Sequence, residues 1–359
     1  STPSNSSAAS DVYKRQNYTL SYVTVLLEGL NNFFGDTLGM MDYPGFEGVG
    51  RSLAMTTGKE NNWTIHCEDT PVPYNTTQNM FFTKYYGDYT GQKLNIEQLY
   101  KNPAAMKLHS YLAMKYYLPG APESTDYPEE TDVLYTSSQL GFSRNAWGGK
   151  TKTVVGVHGG YNMDSGCQVD IGNFFYEYKG IVFADDPGIE NYAISYTTAY
   201  PARAEGANVW VVNPDASYGQ SLEGYGDLNM KESKPGGVIY TLDLSSAYNG
   251  YVKSALRGYM LSEDRTVFTV QDEIKPYQRE NDFYWFWHTL ADITVNENSR
   301  SVSLARDGVV CKIYFDSNVD FTITKQDVLT SLPKSPVVEG QNQMAHAVNM
   351  HKVVVNSQS

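Results

Sequence analysis

Cysteine is nearly absent from this chain: three in 359 residues, Cys67, Cys167 and Cys311, with no Cys-x-x-Cys spacing. So few and so scattered, they exclude a disulfide framework and a thiolate metal site. Positive charge is also scarce, since 27 Lys and Arg stand against 40 Asp and Glu for a formal net charge of −13. That field repels a phosphate backbone and argues against nucleic acid as a partner. It repels a polyanionic sugar too, unless a local basic patch overrides it. No apolar run approaches the roughly 18 residues that a membrane-spanning helix requires. Residues 1–16 are Ser-rich and lack the apolar core of a signal peptide. The stretch SSAASDVYKRQ, Ser6–Gln16, reads as a non-native leader, so the folded sequence is expected to begin near Asn17.

Aromatic side chains are plentiful, with 29 Tyr, 14 Phe and 5 Trp. They suit the interior of packed sheets, and Tyr and Trp also lie flat on sugar rings. Residues 17–118 read as mostly helical. In YTLSYVTVLLEGLNNFFG, Tyr22, Val25, Leu26, Leu30 and Phe33 recur at three- and four-residue steps, predicting an amphipathic helix that ends by Gly35. Further helices are expected over about 44–57 and 104–117, the second stopping before Pro119, with short helices or loops around MFFTKYY. PGAPESTDYPEETD, 119–132, is a polar Pro/Glu linker. From 133 to 359 the period changes to two, in runs such as KTVVGVHGG, NVWVVN, GVIYTLDLS, FYWFWHTL and FTITKQD. Many short strands without long intervening helices predict a large antiparallel β-sandwich, with Val353–Val355 as an edge strand.

The densest chemistry lies in residues 158–192, HGGYNMDSGCQVDIGNFFYEYKGIVFADDPGIENY. Glycine-rich turns precede a strand of alternating aromatics, and a second strand ends in the paired carboxylates Asp185 and Asp186. With RNAW (Arg144–Trp147) before it and YVKSALRGYMLSEDRTVFTVQDEI (Tyr251–Ile274) after it, this segment resembles the heparinase II/III-like polysaccharide lyases. The resemblance spans about Asn17–Asp327. It implies the end of an α/α toroid followed by the β-sandwich, hence an α+β multidomain protein, and a secreted or periplasmic setting.

The same resemblance carries expectations for the site. The family pattern His-x-His-x-Asp-x-Gly-x-Phe falls on Gly166, Gln168, Asp170, Gly172 and Phe174, so both imidazoles are replaced. Asp185 matches a metal-binding carboxylate, and the last family ligand, a histidine before Asn, falls on Ala207. One carboxylate and one amide are too few for zinc, so no cofactor is expected, while Asp185 and Asp186 leave calcium open. Family chemistry is β-elimination at C5 of a uronic acid, which needs a carboxylate neutraliser, a base and an acid. The resemblance assigns proton transfer to Tyr18 or Tyr22, carboxylate contact to Arg144, and substrate hydrogen bonds to Asn162 and Gln168, whose amides can donate. Asp170 and His288, which alternation puts on one face with Phe286 and Tyr284, are expected to support the site. The implied partner is an acidic polysaccharide or oligosaccharide. Two other classes stay open: a non-catalytic carbohydrate-binding or structural homologue, and a hydrolase using a carboxylate pair from Asp170, Asp185, Asp186 and Glu190.

Overall fold

Helix formation follows the 3.6 period, but the buried stripe is not the most apolar one. The computed structural model describes residues 16–58, 76–90, 93, 114–116, 127–162, 168–188, 199–234, 237–277, 280–337 and 349–358. Helix α1 (Gln16–Phe34) is closed by Gly35, whose φ of 69° lets its amide turn back to the Asn31 carbonyl at 2.9 Å. Leu20, Thr24, Leu27 and Glu28 are buried, whereas Tyr22, Leu26 and Phe33 of the expected apolar face are exposed. The Glu28 carboxylate explains the choice. It accepts hydrogen bonds from Tyr116 Oη at 2.7 Å, Tyr85 Oη at 3.1 Å and Asn32 Nδ2 at 3.3 Å, and pairs with the Lys115 ammonium. A carboxylate can leave water only toward such donors, so their position selects the face.

Helix α2 (Val49–Met55) and helix α3 (Thr76–Tyr86) follow. Residues 114–116 are helical, and the rest of the expected 104–117 helix lies outside the described residues. These elements share one core, built on Leu27, Leu53, Phe81, Phe82 and Tyr116. Among the described residues they do not close a toroid. Gly50 is where α2 and α3 meet: a Cβ there would lie 2.7 Å from the Phe82 Cβ and 2.9 Å from its Cγ. Gly50→Ala is expected to destabilise the fold by about 1–3 kcal/mol despite alanine's better helix propensity, and thermal unfolding measures it.

The strands that follow form antiparallel sheets, divided four ways. The first sheet is a meander of β1 (Asp132–Tyr135), β2 (Leu140–Arg144), β3 (Thr153–His158), β5 (Phe174–Tyr178) and β6 (Ile181–Ala184). Strands β5 and β6 are joined through Lys179 (φ 57°) and Gly180 (φ 84°), a pair of positive φ values that matches strand twist in a two-residue hairpin. The second sheet orders β11 (Phe268–Pro276), β10 (Val252–Leu261), β9 (Gly237–Asp243), β8 (Tyr225–Lys234) and β4 (Gly160–Tyr161). The third orders β16 (Phe321–Asp327), β17 (His351–Gln358), β12 (Asp282–Thr289) and β7 (Trp210–Val212), and the fourth comprises β13 (Asp292–Asn296), β14 (Ser301–Arg306) and β15 (Val309–Tyr314). One apolar core joins all four, running from Phe174 and Tyr176 through Tyr240 and Tyr259 to Trp285 and Val302.

One expectation is corrected here. The segment around Val353–Val355 is an interior strand, paired with β12 on one side and β16 on the other. Three consecutive buried valines are what a strand covered on both faces needs. Strand β1 starts at Asp132, where Arg265 grips the carboxylate at 2.5 and 2.8 Å.

Candidate functional site

The site frame begins where β3 runs out. His158 N donates to Asn173 O at 3.0 Å and Gly172 N returns to His158 O at 2.9 Å, which folds residues 168–173 back over the strand end. Gly172 sits at φ 94° against the Leu244 side chain, a conformation glycine adopts freely. Asn162 serves this loop internally. Its Oδ1 accepts from Asp170 N at 3.2 Å, and its Nδ2 donates to Gln220 Oε1 at 3.1 Å and Ser221 O at 2.9 Å. Asp170 is buried beside His158, with Oδ1 3.5 Å from Nδ1.

Two asparagines that carried no assignment from sequence tie this loop to the rest. Asn173 Oδ1 accepts from Phe174 N at 2.9 Å and Asn208 N at 3.0 Å, while its Nδ2 donates to Asp186 Oδ2 at 2.7 Å. Asn208 Nδ2 donates to the carbonyls of Phe174 and Asp185, each at 3.0 Å. Its Oδ1 accepts from His288 N at 2.7 Å and meets His288 Nδ1 at 3.2 Å. Arg257 clamps the frame from below: Nη1 donates to Gly172 O at 2.8 Å and Asn208 O at 2.9 Å, and the other side of the guanidinium pairs with Asp272 at 2.6 and 2.9 Å. The signal for Asn208 was available, because it directly follows Ala207 where the family places His before Asn. Asn173 acts through two backbone amides and the Asp186 carboxylate, and Arg257 through the carbonyls of Gly172 and Asn208.

The turn after β6 is held by its own carboxylates. Asp186 N donates to Asp185 Oδ1 at 2.9 Å and Gly188 N to Asp186 Oδ1 at 2.8 Å, the local bonding that aspartate favours in turns. Burial, with the Asp170 and Asp185 carboxylates nearby, pushes the Asp186 carboxyl up to about 8 against the hydrogen bonds from Gly188 and Asn173. Between 3.8 and about 8 the folded protein therefore binds a proton that the unfolded chain has released, so this group's contribution to stability falls as pH rises through that window. Asp186→Asn is expected to flatten the pH–stability curve there. Urea denaturation at pH 5 and pH 8 checks it, and an unchanged slope counts against it.

The positions matching the family's metal ligands do not form a zinc site. Gln168 and Ala207 are wholly buried, and Ala207 lies in an apolar cluster with Val169, Phe286 and Val354. Among the described residues no three of His, Cys, Asp and Glu converge as a metal would require. Asp185 is left as a single carboxylate, and zinc does not fit that donor set.

Arg144 is placed elsewhere, at the junction of helices and sheet. Its Nη2 donates to Met55 O at 3.2 Å and to Thr57 O, and its guanidinium lies 4.2 Å over the Trp147 ring. Burial lowers its pKa to about 10, opposed chiefly by Glu177. Tyr22 is exposed on α1, and Tyr18 lies in the first turn of that helix with its side chain outside the described residues. Gly166 and Glu190 also lie outside them. His288 is wholly buried between Asn208 and Tyr200.

This combination of antiparallel sheets and few helices has counterparts among solved structures. Solved structures similar to it include the heparan sulfate lyase HepC from Pedobacter heparinus, at 12% identity and TM-score 0.60 over 88% of this chain and 44% of that one, and a heparinase III with methylated lysines, at 14% identity and TM-score 0.65 over 95% and 50%. A further heparinase III matches at 12% identity and TM-score 0.64, over 95% of this chain and 52% of the other. The chain thus spans about half the length of these structures, and at such identities the likeness is one of fold. No family model and no curated protein matches the sequence. No helix among the described residues is long and apolar enough to cross a membrane.

Proposed function

We propose that this chain is the sheet-rich part of a polysaccharide lyase that cleaves uronic-acid-containing glycans, heparan-like or otherwise acidic, by β-elimination. The observation that carries the reading is the fold it shares with heparan sulfate lyases across 88% or more of its length. In this reading the helical residues 17–118 belong to an α/α toroid, and the protein works in a secreted or periplasmic setting. Tyr22, exposed on α1, or Tyr18 would take the C5 proton as the phenolate, or give one to the leaving oxygen as the phenol. Gln168, Asn162 and Arg144 would contribute through the walls they hold in place, with no metal step.

A second reading, a carbohydrate-binding homologue without turnover, has its own support. Gln168 and Ala207 are closed into the interior where the family has imidazoles, so the loss there is filled by packing. Incubation with heparan sulfate, chondroitin sulfate and other uronate polysaccharides, followed by ultraviolet absorbance of the unsaturated uronyl end, separates the two. Rising absorbance supports the lyase. Saturable glycan binding without absorbance supports the homologue, and absence of both overturns the two together.

A further inference from the structure

We propose that Lys352, at the centre of the third sheet, is a positioning residue for the Asp185 turn, acting through a one-way chain of hydrogen bonds that passes along Tyr200, His288 and Asn208. Lys352 is wholly buried on β17, where its ammonium donates to Tyr200 Oη at 2.9 Å and Thr330 O at 2.5 Å. An ammonium group only donates, so the Tyr200 oxygen is the acceptor there and its own proton must go elsewhere. His288 Nε2 stands 2.8 Å away to take it, which leaves Nε2 without a proton of its own. The neutral ring then carries its proton on Nδ1 and donates it to Asn208 Oδ1 at 3.2 Å.

The far end of the chain gives the same answer independently. Asn208 Nδ2 faces two carbonyls, of Phe174 and Asp185, so the amide can be oriented only one way and its oxygen must face the imidazole. An oxygen that already accepts from His288 N requires a proton on Nδ1. Both ends therefore select one tautomer, and each donor points from Lys352 toward Asp185. Bonds aligned in this sense polarise one another in a dry interior. The loop closes because Asp185 N donates back to His288 O at 3.0 Å.

The groups facing Lys352 are Tyr200, His288, the Thr330 carbonyl, the Phe286 ring at 5.2 Å and the Glu205 carboxylate. Burial lowers the Lys352 pKa to about 7, with Glu205 opposing, so pH 6 keeps the ammonium charged. Burial and the Lys352 charge both hold His288 neutral, against a pull from the Glu205 backbone. This inference concerns the geometry of the site and stands under either reading of function.

Nitrogen NMR of ring-labelled histidine at pH 6, with amide exchange on the same samples, tests it without any glycan. In the unmodified protein His288 should show a protonated Nδ1 and a bare, hydrogen-bonded Nε2. Lys352→Met should shift the Nε2 signal and speed exchange at the Asp185 amide about 10-fold, although the two residues do not touch. Val353→Ala, on the same strand, should lower global stability and leave the Nε2 signal where it was. A protonated Nε2 in the unmodified protein overturns the proposal, as does Lys352→Met giving the pattern of Val353→Ala. If Lys352→Met does not fold, Tyr200→Phe, which removes one oxygen, decides: unchanged exchange at Asp185 overturns the relay, and a rise of about 10-fold supports it.

Discussion

Replacing Arg257 with methionine is expected to cost about 3–5 kcal/mol of unfolding free energy, measured by urea denaturation at neutral pH. The guanidinium is wholly buried, and it is the partner of Asp272 as well as a donor to the carbonyls of Gly172 and Asn208. Burial would lower its pKa, but the Asp272 carboxylate outweighs burial and raises it, so the charge is retained inside. Methionine fills much of the same space and leaves Asp272 without its cation. Removing the carboxylate as well, in Arg257→Met with Asp272→Leu, should recover part of the loss, because an isolated buried charge costs more than no pair at all. A single substitution costing under about 1 kcal/mol would mean that the clamp does not hold the loop.

Asn208→Asp is expected to be as damaging, about 3–5 kcal/mol at pH 7, although the two side chains have the same shape. The amide nitrogen that faces the carbonyls of Phe174 and Asp185 becomes an oxygen, so two attractive contacts turn repulsive. The new carboxylate is also buried, which raises its pKa. The sign follows: the folded variant binds a proton that its unfolded chain lacks, and the deficit should shrink as pH falls toward 4. Denaturation midpoints of variant and parent at pH 4.5 and 7 measure the difference, and a deficit independent of pH would contradict the assignment of the amide.

Period-two alternation made the sheets readable, because one face of a strand such as β10 is buried and the other is not. Alternation says nothing about which strands pair, so the division into four sheets and the interior place of β17 were not legible. For α1 the element was readable and its buried face was not, since the decisive group was the polar Glu28, whose partners Tyr85 and Tyr116 are remote in sequence. The loop around Asp170 and Gly172 was reached through the family resemblance. The groups that brace it, Asn208 and Arg257, are remote from it in sequence and meet it only in three dimensions.

The position of β17 sets a timetable for the molecule's synthesis. Strands β12 and β16 are made first, yet each presents to β17 an edge that nothing else in the third sheet can satisfy. Residue 289 leaves the ribosome's catalytic centre well before residue 351, and at roughly 5–20 residues per second the gap is on the order of several seconds. Throughout that interval β12, with Trp285 and Trp287 on one face and Phe286 on the other, waits with one open edge, the kind of transiently exposed apolar strand that invites aggregation.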